Sequence, residues 1–117
     1  MMNVFAWLPG TIPDESLRSW QLLRAWLSPE QLLEFDNKKL FHVVGNVTKI
    51  KYVIFSSSQY NIINTKNQVR LCVSPATDRF YICDVMLAQK IALENDERGA
   101  LRVANHRPRY PYEPEVN

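Results

Sequence analysis

Apolar residues in this chain change their spacing twice, and that change constrains the fold more than any single motif. Leu17, Trp20, Leu23 and Leu27 recur every three or four residues, which makes one helical stripe with Arg18 and Arg24 turned away from it. The runs Phe41–Val44, Lys49–Phe55, Tyr60–Asn64 and Val69–Val73 are instead rich in β-branched and aromatic residues. From Asp84 the helical period returns, with Leu87 and Ile91 one turn apart on the face expected to meet a sheet. The chain therefore reads as α+β: N-terminal helices, a four- or five-stranded antiparallel sheet, and a C-terminal helical segment packed on one face. A spacing of about ten residues between strands favours an antiparallel meander over βαβ units.

Local signals sharpen the element ends. Pro13-Asp14-Glu15 reads as a helix start, with Asp14 as N-cap. Ser28-Pro29-Glu30-Gln31 reads as a restart, in which Ser28 caps, Pro29 takes the first helical position and Gln31 closes a capping box. In Lys49-Ile50-Lys51-Tyr52-Val53 the alternation puts both lysines on one strand face. A fifth run, Phe80–Cys83, is expected to pair back across residues 74–78. Asp84 is the expected N-cap of the last helical segment, which restarts at Asn95-Asp96 and buries Leu101 and Val103.

The chain has 117 residues, one domain's worth, taken as 1–106 with an apolar N-terminal arm, followed by a Pro/Tyr-rich tail at 107–117. Three prolines at three-residue spacing give that tail a polyproline II frame. Fourteen basic and 12 acidic side chains leave a net charge of +2, which argues against a dedicated polyanion binder. Two cysteines are too few for a secreted disulfide scaffold. No apolar run approaches the roughly 18–20 residues of a membrane helix. The start of the chain lacks a basic region and makes a poor signal peptide, so the expected location is cytoplasmic, with no membrane partner.

Chemistry-bearing residues are sparse. Cys72, Cys83, His42 and His106 lack the close-spaced pairs of zinc sites, so no metal and no cofactor is expected. The cysteines read as small buried hydrophobes on neighbouring strands, which a suitable hairpin register would set opposite each other. Glu94, Asp96 and Glu97 cluster at the helical restart, either as capping acids or as the acidic site of a small enzyme. Lys49, Lys51, Tyr52 and Arg70, with Lys38, Lys39, Arg79, Tyr60 and Tyr81 around them, outline a lysine/tyrosine sheet face that would bind nucleic acid weakly and electrostatically. Phe5 and Trp7 in the arm, and Tyr110 and Tyr112 in the tail, are the aromatic anchors expected to dock a protein partner or a second copy.

The Trp26-Leu27-Ser28-Pro29-Glu30-Gln31 start and the segment Asp84–Glu97, followed by Arg102-Val103-Ala104-Asn105, resemble small uncharacterised bacterial proteins over roughly residues 20–106. The resemblance implies a bacterial or phage source. It implies no activity and no functional residue. The function expected is a small non-enzymatic protein-binding or adaptor module, from a phage or mobile element. The alternatives are a nucleic-acid-binding accessory protein and a small enzyme acting at Glu94–Glu97.

Overall fold

Ser28 and Gln31 cap each other. Ser28 Oγ accepts the Gln31 N–H at 3.2 Å, and Gln31 Oε1 accepts the Ser28 N–H at 3.0 Å. Pro29 fills the first helical position, where a missing N–H leaves nothing unpaired. The computed structural model describes residues 14–57, 59–73 and 81–117. In it α1 (Asp14–Trp26) precedes α2 (Pro29–Lys38), and the two are tied by an ion pair between Arg24 and Asp36. Lys39 ends α2 in the left-handed region at φ 59°, its N–H donating to the Phe35 carbonyl at 2.9 Å.

The sheet follows as β1 (Leu40–Val44), β2 (Lys51–Phe55), β3 (Ile62–Asn64) and β4 (Arg70–Cys72). Then come α3 (Ile82–Asn95), α4 (Glu97–Val103) and β5 (Asn105–Arg107). Among the described residues the fold is α+β, with four helices and a five-stranded antiparallel sheet in the order β1-β2-β3-β4-β5. α3 packs on β1 and β2, and α1 packs on α3.

The register separates two sheet faces. Phe41, Ile54, Ile62 and Leu71 follow one another across the strands and face the helices. With Val43, Tyr52, Leu23, Met86 and Leu93 they form a core almost closed to solvent. Burial of this kind contributes about 25 cal/mol per Å² of apolar surface. A reciprocal amide pair links sheet and helix inside that core. Asn61 Nδ2 donates to Gln89 Oε1 at 2.7 Å, and Gln89 Nε2 donates to Asn61 Oδ1 at 2.9 Å.

Several expectations are corrected. Ile82 and Cys83 open α3 instead of forming a strand; the fifth strand is Asn105–Arg107, which adds to β4 at the sheet edge. Cys72 therefore faces Asn105 across the ladder, not Cys83. The residue before α3 is Tyr81, without a side-chain cap, and Asp84 lies in the first turn, where its charge still favours the helix dipole. Leu87 is buried, but Ile91 is 39% exposed and Val103 70% exposed. The buried face of α3 is set by Met86, Leu87 and Leu93 instead. Lys49 lies outside the strand, in the left-handed region at φ 62°, so the lysine alternation ends at Lys51.

Candidate functional site

The second sheet face carries the row His42, Val53, Ile63, Arg70 and Arg107, one residue from each strand. Residues 108–117 run along it. Glu113 reaches Arg107 at 2.8 and 2.9 Å, one oxygen to each Nη, and lies 3.1 Å from Arg70 Nε. Val116 and Gln68 bond reciprocally at 2.7 and 2.8 Å. Asn117 O lies 2.9 Å from His42 Nε2, and Glu34 Oε2 holds the other ring nitrogen at 2.5 Å. The tail is thus fastened near both edges of the sheet. Val53 and Ile63, which lie between these anchors, are buried although they face away from the helices.

Pro111 breaks the expected extended frame. The Glu113 N–H donates to the Tyr110 carbonyl at 2.9 Å, closing a turn with proline at its second position. Glu113 Oε1 also accepts the Tyr110 N–H at 2.8 Å. The Arg107 hydrogen bonds and this N–H hold the Glu113 carboxyl at about 2, well below its usual range. Tyr110 and Tyr112 project from the turn with ring centroids 5.7 Å apart, Tyr110 41% and Tyr112 82% exposed. The Arg107 guanidinium lies 4.1 Å from the Tyr110 ring centroid, a cation–π contact that steadies the inner ring.

The three acids at the helical restart are held separately. Glu94 pairs with Lys90 at 2.5 Å and accepts from Gln31. Asp96 caps α4 through the Gly99 N–H. Glu97 is wholly buried, where its carboxylate accepts from the Val47 and Thr48 N–H groups, Thr48 Oγ1 and Tyr52 OH, at 2.5–2.9 Å. Desolvation raises its pKa, but the hydrogen bonds from Thr48, Tyr52 and Val47 prevail and hold it at about 2. Asn46 completes the clasp, donating to the Leu93 and Asn95 carbonyls and accepting the Glu97 N–H.

A cleft of about 350 Å³ lies where the end of α2 meets the sheet, lined by Lys38, Lys39, Phe55, Ser56, Ser57 and Arg70. Arg70 Nε is buried and makes no hydrogen bond; its 3.1 Å approach to Glu113 is an ion pair without hydrogen-bond alignment.

Of the residues singled out in the sequence, Tyr110 and Tyr112 stand together on an exposed turn. Phe5 and Trp7 lie outside the described residues. Tyr52 is fully buried with its hydroxyl on Glu97, so its ring offers no stacking surface; Lys51 points to the opposite sheet face and Lys49 sits in the β1–β2 turn. Arg70 lies on the same sheet face as Lys51, two strands away in the tail-covered row. Among the described residues no three His, Cys, Asp or Glu side chains form a metal-ligand group, and no helix is long and apolar enough to cross a membrane. Sequence reasoning missed Glu113 as the tail's clamp, and the cleft, whose lining comes from three separate segments. No family model, curated protein or solved structure matches the chain.

Proposed function

We propose that this chain is a small non-enzymatic module that binds a protein partner, or a second copy of itself, through the Tyr110–Tyr112 turn. The observation that carries it is the exposure of both rings on a turn whose last residue is clamped by Arg107 and Arg70. A turn already held in shape loses little conformational freedom on binding. Exposed aromatic anchors that find a pocket are the side chains whose truncation costs about 2 kcal/mol or more. The non-enzymatic part is supported by Glu94, Asp96 and Glu97, whose carboxylates are each engaged in separate structural contacts. The resemblance noted above supports a bacterial or phage-encoded protein, and the cytoplasm is the compartment we assign to it.

The test compares wild type with Tyr110→Ala/Tyr112→Ala and with Tyr81→Ala, an exposed tyrosine elsewhere on the surface. Cross-linking in the source cells and sedimentation of the purified protein read partner capture and self-association. Loss of the complex in the double variant alone is expected, with unchanged circular dichroism. Equal recovery by all three proteins overturns the assignment.

A further inference from the structure

The cleft at the end of α2 gathers three cationic side chains, Lys38, Lys39 and Arg70, with two serines, Ser56 and Ser57. No carboxylate is among its described lining residues. Of the acids nearby, Asp36 pairs with Arg24, and Glu113 lies 3.1 Å from Arg70 Nε while taking both hydrogen bonds from Arg107. Lys38 has no hydrogen bond or ion pair within the described residues, and Lys39 Nζ makes a long 3.5 Å bond to the Asp36 carbonyl and lies 5.6 Å from the Phe35 ring centroid. The Ser56 N–H donates to the Lys39 carbonyl at 3.1 Å, which fixes the serine segment against the end of α2.

We propose that this cleft binds the terminal phosphate of a small phosphorylated molecule. A guanidinium fork, two ammonium groups and two hydroxyls match a dianion with several oxygens better than a monovalent carboxylate. Arg70 lines the cleft, and its buried Nε, ion-paired with Glu113 at 3.1 Å, makes no hydrogen bond. The volume is at the small end for ligand pockets, enough for a phosphate and a few further atoms. The three cations line one cleft and do not extend into a track. Lys51 stands at the far end of β2 from Phe55, and Arg107 and Arg109 are taken up by Glu113 and Glu115. A polymer backbone would need such a track. This site does not depend on the protein-binding role of the tyrosine turn.

The experiment is an amide NMR titration with inorganic phosphate and with pyrophosphate, ionic strength held constant with sodium chloride. Saturable shifts at Lys39, Ser56, Ser57 and Arg70 are expected. Lys38→Gln/Lys39→Gln should weaken binding about tenfold, and Lys38→Gln alone, at an exposed helix end, should move it in the same direction without touching the fold. Lys49→Gln, in the β1–β2 turn, should leave it unchanged. Shifts that never saturate, or that spread over all lysine-bearing segments, overturn the site. So does an affinity indifferent to both Lys38 variants. A short oligothymidylate without terminal phosphates that moves the same amides at lower concentration than pyrophosphate would reassign the cleft to a nucleic-acid backbone.

Discussion

The Glu97 carboxylate occupies the space where any other residue at position 45 would carry its Cβ. Glycine there is a packing requirement: it lets the β1–β2 turn close over a buried charge that four donors from that turn and β2 hold in place. Gly45→Ala should therefore cost about 1–3 kcal/mol, the usual range for overpacking a site that cannot give way. Urea denaturation measures it. An unchanged midpoint would mean that the clasp yields.

Acid should loosen the same clasp. Glu97 is held at about 2 in the folded chain against an ordinary 4.5, and Glu113 likewise. A carboxyl depressed by folding contributes stability that is complete above its unfolded value, then lost as pH falls through 4.5 toward about 2. Glu97→Gln should be less stable than wild type at neutral pH by roughly 2–4 kcal/mol, because an amide cannot accept from all four donors. That gap should narrow across the acid window. A constant gap down to the lowest pH would show that the Glu97 charge does not control it.

Met86 and Ile91 separate the two sides of α3. Met86 is fully buried and Ile91 is 39% exposed. Met86→Ala should cost about 2–5 kcal/mol through lost transfer energy and a residual cavity, whereas Ile91→Ala should stay near 1 kcal/mol or below. Thermal unfolding of both variants ranks them, and a larger loss for Ile91 would reverse the assigned helix face.

Glu113 holds the tail. Glu113→Ala removes its contacts with Arg70 and Arg107 and with the Tyr110 N–H. Hydrogen exchange should speed up at Glu113 and Val116 while Ile54 and Ile62, in the sheet interior, keep their protection. Unchanged protection at Val116 would show that the Gln68 and His42 contacts secure the tail alone.

How much could be read in advance depended on how local each determinant was. The capping box at Ser28–Gln31 lies within four consecutive residues, and it stands as expected. The four strands of β-branched runs were legible for the same reason. β5 was not, because Asn105-His106-Arg107 has neither β-branching nor alternation, and its pairing with β4 follows from where α4 delivers the chain. The run Phe80–Cys83 misled in the opposite sense: its aromatic and β-branched residues fit a strand, yet Ile82 and Cys83 serve better as the first turn of an apolar helix. Tyr110 and Tyr112 were visible as aromatics in a proline frame. Their clamp was not, since Glu113 meets Arg70 only through the folded sheet. Burial of Tyr52 against Glu97, 45 residues away, was equally invisible to any local pattern.

The sheet repeats chain order, but its steps are unequal. β1 to β4 succeed one another within a short stretch of sequence, whereas β5 joins β4 only after α3 and α4 intervene. The loop that must close before the last strand pairs is the longest of the four, and its entropy cost is the largest. The meander of β1–β4 should therefore form early, with β5 and the tail docking after it. Mutations in β1 and β2 should slow folding, while those at Arg107 and Glu113 should act on the unfolding rate, with φ-values near zero. The segment that presents the exposed tyrosines should thus act as a kinetic latch, one that lengthens the life of the folded molecule once the rest of the sheet has formed.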